Sequence, residues 1–200
     1  MAECNRSTGL VMNTLTDEEL LGRFQDADEH AFVTLFRRRQ GSVYRFCYAM
    51  CGREDWSEEV TQDVFTALIR GAQQLDPSRG TVQAWLYSVA RNLVRKRLER
   101  EKRFVPYLRD EDADMEVEFA DGSITSALDR LTGLERTEAL NDAIQLLPSP
   151  FREVLVLCDL EECPYEAAAT LLECPLGTIR SRLHRARAML IAKLRPKVSC

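Results

Sequence analysis

The sequence predicts an all-α fold of two small helical domains joined by an acidic flexible linker. Three observations predict it. Apolar residues recur at helical spacing along most of the chain, and no stretch alternates apolar and polar for long enough to form a sheet. The periodicity lapses once, after Pro106, and between Asp110 and Asp121 seven acidic residues occur with no basic one. A length of 200 residues allows two small domains. The expected boundaries are a disordered tail over 1–15, a first domain over 16–105, the linker over 106–125 and a second domain over 126–196.

The elements follow in order. Thr16 with Glu19 forms a capping box ahead of Leu20, Leu21 and Phe24. A second helical stretch carries Ala31, Phe32, Leu35 and Phe36, and a third carries Val43, Tyr44, Cys47, Met50 and Cys51. Asp55 with Glu58 reads as another capping box, opening a helix with Val60, Val64, Ala67, Leu68 and Gly71. Asp76-Pro77-Ser78-Arg79-Gly80 reads as a loop. A long helix then runs from about Thr81 to Arg103 through Leu86, Val89, Leu93 and Leu98. After the linker, one helix carries Leu131, Leu134, Leu140, Ile144 and Leu147 and stops before Pro148-Ser149-Pro150. Three shorter segments follow, at about 150–160, 164–172 and 175–194.

Composition narrows the function classes. Hydrophobic residues are 45% and charged residues 30%, the balance of a soluble globular chain. No apolar run is long enough to span a membrane, and the first residues lack the basic and apolar regions of a signal peptide. The expected compartment is therefore the cytoplasm, without membrane insertion. Seven cysteines, scattered and odd in number, do not make a secreted disulfide framework. No nucleophile–base pair, phosphate loop or carboxylate pair points to an enzyme, and nothing calls for a cofactor.

The net charge of −5 hides a strong asymmetry. Seven Lys or Arg and no acid lie between Leu176 and Lys197, and seven basic residues against two glutamates lie between Arg91 and Arg103. Local patches of this kind, not the chain total, govern phosphate binding.

The basic C-terminal segment has the form of a helix-turn-helix. Ala167, Ala168 and Ala169 allow a close helix crossing, Glu173-Cys174 makes the turn, and Pro175 opens the second helix. In that helix Ile179, Leu183, Ala186 and Leu190 form a buried stripe. Thr178, Arg180, Ser181, His184, Arg185 and Arg187 are the candidate contacts to duplex DNA, since Arg reads guanine edges in the major groove and holds phosphates. A solvated basic face is the simpler account, and the absence of acidic partners four residues away weighs against it.

In the first half, Trp85, Ser88 and Asn92 share one helical face, extended by Arg95 and Lys96, with Tyr87 close in sequence. An aromatic ring beside an amide and cations suits single-stranded DNA: the ring stacks on a base, the amide reads an edge and the cations hold the backbone. Trp85 and Tyr87 as core aromatics is the simpler alternative. Glu58, Glu59, Gln62 and Asp63 lie over an apolar Val60/Val64/Phe65 side, a solvated face or a protein-docking face.

These residues reach a family. From about Asp17 to Leu194 the chain resembles the extracytoplasmic-function (ECF) sigma factors of the sigma-70 superfamily. The match lies in Ser57-Glu58-Glu59-Val60-Thr61-Gln62-Asp63-Val64-Phe65 with Trp85-Leu86-Tyr87-Ser88-Val89-Ala90-Arg91-Asn92. It continues in Leu146-Leu147-Pro148, Phe151-Arg152-Glu153-Val154 and the run from Pro175 to Arg187. The resemblance implies a first half like the sigma-2 helical bundle, docking through Glu58, Glu59, Gln62 and Asp63 on the β′ clamp helices of core RNA polymerase. It places Trp85, Tyr87, Ser88, Asn92, Arg95 and Lys96 at the melted −10 element. It implies a second half like the sigma-4 helix-turn-helix, reading the −35 duplex and meeting the β subunit. Promoter DNA, core polymerase and, as is common in the family, an anti-sigma factor are the implied partners. Three positions depart from the family pattern. Glu173 stands where the turn usually has Gly, Ala167 where an acid is common and Pro164 where Ser is usual. Glu173 implies a strained or re-registered turn.

Two other functions fit parts of the sequence. A free-standing helix-turn-helix regulator would need no polymerase. A thiol- or metal-sensing regulator would use Cys47 with Cys51, or Cys158, Cys163 and Cys174, though no C-x-x-C pair of the kind zinc sites favour is present.

Overall fold

The computed structural model describes residues 14–76, 80–104 and 133–194. The acidic linker at 106–125 and most of the N-terminal tail lie outside them. The described elements are α1 (Asp17–Gln25), α2 (Glu29–Cys51), α3 (Glu54–Gly71), a 3-10 turn (Ala72–Gln74) and α4 (Val82–Phe104). They continue with α5 (Gly133–Gln145), α6 (Ser149–Leu155), a π-turn (Val156–Leu160), α7 (Tyr165–Leu171) and α8 (Leu176–Leu194). No strand occurs among the described residues.

The first four helices form one bundle. The Thr16 capping box is present: its hydroxyl accepts from the Glu19 amide at 3.2 Å, and the Glu19 carboxylate accepts from the Thr16 amide at 2.8 Å. Asp17, nearly buried, ties α1 to α2 by accepting from Arg38 at 2.8 Å and from Arg39. The Gln25 amide donates to the carbonyls of Ala72 and Leu75 at 2.7 and 2.9 Å, closing the far end of α1 on the 3-10 turn. Leu35, Val43 and Phe46 of α2 meet Val60, Val64 and Leu68 of α3 and Leu86 and Val94 of α4 in a buried apolar core.

Two expectations are corrected in this half. The second and third helical stretches are a single 23-residue helix, α2. Gly41 between them is a tolerated interior glycine, costing under about 1 kcal/mol, and no proline interrupts. The Asp55–Glu58 capping box does not form. Helix α3 starts at Glu54, with Arg53 at the cap position and no side-chain cap. Asp55 lies inside the first turn and accepts from Arg53 at 2.9 Å, while the Arg53 guanidinium also sits 4.2 Å from the Trp56 ring centre.

The second half begins with α5 and closes around Ile144, Leu147, Val154, Leu157, Ile179, Leu183 and Ala186. Pro150 lies in the first turn of α6, where its missing amide hydrogen costs nothing. Helix α7 ends in a Schellman arrangement: the Cys174 amide donates to the Ala169 carbonyl at 3.1 Å and the Glu173 amide to Thr170 at 3.3 Å. Glu173 occupies the left-handed position with φ 53°. The turn thus keeps its register and is strained, at roughly 1–2 kcal/mol relative to glycine.

The two halves pack against each other, and their buried residues form one continuous core. Helix α2 ends at Gly52, whose φ of 68° suits glycine, and a Cβ there would lie 3.1 Å from the Gln145 side chain. That side chain donates to the carbonyls of Tyr48 and Ala49 at 3.0 and 2.6 Å. Arg152 donates to Met50 at 2.8 Å. Side chains of the second half therefore satisfy the Ala49 and Met50 carbonyls that the end of α2 leaves open, and add a second donor to Tyr48, which already accepts from the Gly52 amide at 2.7 Å.

Candidate nucleic-acid interface

Helix α8 buries Ile179, Leu183, Ala186 and Met189. Met189 is buried beside this stripe, and Leu190, expected in it, is only partly buried. The opposite face exposes Arg180, Ser181, His184, Arg185 and Arg187, with Thr178 half-buried at its start. Arg180 and Arg185 carry no ion pair among the described residues. The Ser181 hydroxyl donates to the Thr178 carbonyl at 3.1 Å. Arg187 differs from the other arginines: its guanidinium is held by Asp159 through two bonds of 2.8 and 2.7 Å. Of the six expected contacts, Arg187 is thus committed to the protein in this conformation.

Helix α4 carries the second surface. Trp85 and Ser88 are half-buried, and Asn92, Arg95 and Lys96 are exposed. Trp85 and Ser88 line a cavity of about 490 Å³ together with Leu75, Asp76 and Gly80. The ends of the expected Asp76–Gly80 loop therefore border the aromatic site, while residues 77–79 lie outside the described residues. Arg95 approaches Glu99 at only 4.0 Å.

Tyr87 is a correction. It is 1% exposed, packs tilted against the Phe46 ring with centroids 5.1 Å apart and donates its hydroxyl to Glu161 at 3.0 Å. Burial pushes its pKa up to about 12. Its ring is a core element shared by both halves and is not offered to DNA.

The third surface is the outer face of α3. Glu58, Glu59, Gln62 and Asp63 are exposed above buried Val60, Val64 and Phe65. Arg97 of α4 reaches across to Glu59 at 2.5 Å and Asp63 at 3.3 Å, so part of this acidic face is neutralised from within. Glu58 and Gln62 border a groove whose opposite wall is Phe36, Gln40 and Tyr44 of α2.

Sequence reasoning missed the residues that join the halves. Glu161 is 6% exposed. Its carboxylate accepts from Tyr87 and pairs with Arg45 at 3.3 Å, and its carbonyl accepts from Gln83 at 3.1 Å. Burial raises its carboxyl above the usual range, opposed by the Tyr87 bond and by Arg45. Glu153, 7% exposed, pairs with Arg91 at 3.0 Å. The one available signal was the density of acids at Asp159, Glu161 and Glu162, which names no partner.

The five described cysteines are free thiols. Cys47 and Cys158 are pushed up to about 12, and Cys163 to about 11, by burial in each case. Among the described residues, no group of three or more His, Cys, Asp or Glu is placed to hold a metal ion. No described helix is long and apolar enough to cross a membrane.

Comparison with known proteins gives matches over both halves. The model for Sigma-70 region 2 matches residues 35–104, and that for Sigma-70, region 4 matches residues 137–190. The ECF RNA polymerase sigma-E factor of Escherichia coli (strain K12) is 32% identical over 190 residues, covering 92% of this chain and 97% of that protein. The ECF RNA polymerase sigma factor SigE of Mycolicibacterium smegmatis is 33% identical over 156 residues, covering 78% of this chain; the chain spans 58% of that longer protein. Among solved structures, CnrH in complex with the cytosolic domain of CnrY is similar at TM-score 0.64 and 23% identity, over 88% of this chain and 95% of that one. The sigma factor RpoE of Bartonella quintana, solved with the anti-sigma factor NepR, is similar at TM-score 0.63 and 23% identity, over 84% and 98%. These two establish a shared fold.

Proposed function

The chain belongs to the ECF family of RNA polymerase sigma factors, which direct transcription initiation, and on that premise we propose how its surfaces divide the work. The exposed face of α3, with Glu58, Glu59, Gln62 and Asp63, docks on the clamp helices of the core polymerase β′ subunit. Helix α8 enters the major groove of the −35 duplex. Arg180 and Arg185 reach base edges or phosphates, and Thr178, Ser181 and His184 supply shorter contacts. Trp85, Ser88 and Asn92 receive the melted −10 strand, with Arg95 and Lys96 on its phosphates.

The domain division is 16–105 for −10 recognition and docking and 126–196 for −35 recognition, joined by the acidic segment 106–125. The second half also meets the β subunit. Bond-making belongs to the polymerase, and the chain supplies only recognition and strand capture, in the bacterial cytoplasm. By likeness to the Bartonella quintana factor, an anti-sigma protein is its expected regulator.

One observation carries this reading. A single chain combines an arginine-faced second helix of a helix-turn-helix with an acidic, solvent-facing helix on a separate bundle. A free-standing regulator has no use for the second. The test is size-exclusion co-elution with core RNA polymerase, followed by gel retardation of promoter fragments by the chain, by core and by their mixture. Retardation of specific fragments by the mixture alone is expected. Tight duplex binding by the chain alone, without association with core, would establish the free-standing regulator instead.

A further inference from the structure

One face of α1 braces the chain where it leads into α4. Glu18, Leu21 and Gln25 stand at i, i+3 and i+7 and share that face. At one end, Oε1 of Glu18 accepts from the Val82 amide at 3.2 Å. Val82 is the first residue of α4, so its N–H has no partner within the helix. The Thr81 hydroxyl accepts from the Ala84 amide at 3.1 Å, and the two side chains together cover two of the first donors of α4. A carboxylate there also suits the positive pole of the helix. At the other end, Nε2 of Gln25 donates to the Ala72 and Leu75 carbonyls at 2.7 and 2.9 Å, and the Gln25 carbonyl accepts from Gln73 at 2.7 Å. Leu21, buried between them, lines the cavity with Leu75, Val82, Trp85 and Ser88.

We propose that Glu18 and Gln25 are positioning residues for the single-strand site. Together they set the spacing between Leu75 and the start of α4, and with it where Trp85 and Ser88 stand. They act through the backbone at both ends and leave the DNA to α4. Drawing a base out of the stack costs free energy, so the receiving pocket has to be held in place before the strand arrives. A start of α4 free to shift against Leu75 would spend part of the binding energy on ordering itself. This rests on the proposed role of Trp85, Ser88 and Asn92 and adds the residues that hold that site in shape.

The test uses holoenzyme, reconstituted from the full chain and core RNA polymerase, on a promoter fragment recovered by run-off transcription. Permanganate reactivity of thymines in the −10 region reads strand capture, and gel retardation at low temperature reads duplex binding before opening. Glu18→Ala and Gln25→Ala are each expected to lower thymine reactivity about fivefold, with core binding and duplex retardation unchanged. Glu18→Gln keeps an oxygen for the Val82 amide and is expected to recover most of the reactivity. Glu19→Ala is the matched control, because it breaks the capping box of the same helix and leaves the contacts to Val82 and Leu75 in place. It is expected to react as wild type does.

Circular dichroism reports the helicity of each variant; should Glu18→Ala lose it, Gln25→Ala carries the same test. Wild-type reactivity in the folded alanine variants, or the same loss in Glu19→Ala as in Glu18→Ala, would overturn the inference. Trp85→Ala and Asn92→Ala are run in parallel. If neither lowers thymine reactivity, the strand-site reading fails and the inference falls with it. A loss in both, with Glu18→Ala and Gln25→Ala at the wild-type level, removes the positioning role alone.

Discussion

Arg187 on the exposed basic face of α8 closes a two-point ion pair with Asp159, Nε to Oδ2 at 2.8 Å and Nη2 to Oδ1 at 2.7 Å. The pair fixes α8 against the π-turn and withdraws one arginine from the exposed basic face. Asp159→Asn is expected to cost at most about 1 kcal/mol of stability, because the pair is partly exposed. The same change frees Arg187 and should steepen the salt dependence of duplex binding by the holoenzyme. Thermal melts and binding at several salt concentrations check both; an unchanged salt slope would mean that Arg187 never reaches phosphate.

Arg185 lies on the same face without an ion pair among the described residues. Arg185→Ala should weaken −35 recognition by roughly 1–3 kcal/mol if it reads a guanine. The loss should then concentrate at one base position in a panel of −35 variants. A uniform loss across the panel would assign Arg185 to phosphate instead.

Arg97 shields Glu59 and Asp63 on the proposed docking face of α3. Arg97→Ala should change the melting temperature little while raising affinity for core polymerase. Asp63→Lys should lower that affinity. Fluorescence anisotropy with labelled chain measures both, and a fall in affinity for Arg97→Ala would show that Arg97 itself contacts the polymerase.

Glu161 gives a pH dependence of known sign. Burial raises its carboxyl above the usual range, with Tyr87, Arg45 and Arg39 opposing. A group whose folded value is raised contributes its stability fully below the unfolded value and loses it as pH rises through the folded one. The advantage in melting temperature of Glu161→Gln over wild type should therefore grow as pH rises above the ordinary carboxyl range. Parallel curves would show that the carboxylate stays solvated.

The buried thiols bear on the sensing alternative. With Cys47 and Cys158 held near 12 and Cys163 near 11, their thiolate fractions at neutral pH are very small. Native protein treated briefly with iodoacetamide at neutral pH should carry no label at these three positions by mass spectrometry. Rapid labelling there would reopen a thiol-sensing role.

Much of this was legible in the sequence because it is local. The Thr16 capping box, the helix-turn-helix and the face shared by Trp85, Ser88 and Asn92 all follow from spacings of three or four residues. The same spacing separates Tyr87 from Trp85 by about 200° around the helix, so its burial was readable from the sequence as well. The tie from Tyr87 to Glu161 was not, because it joins residues 74 positions apart and neither carries a local signature of the other. The false capping box at Asp55 shows the converse. The pattern was present, but Arg53 claimed the carboxylate and the helix had already begun.

Run-off transcription with core RNA polymerase on a library of genomic fragments tests the central claim most directly. The account predicts discrete transcripts that require the chain and are lost or strongly reduced with Asn92→Ala and with Arg185→Ala, each variant still binding core. Transcription indifferent to the chain, or unchanged in both variants, would contradict it.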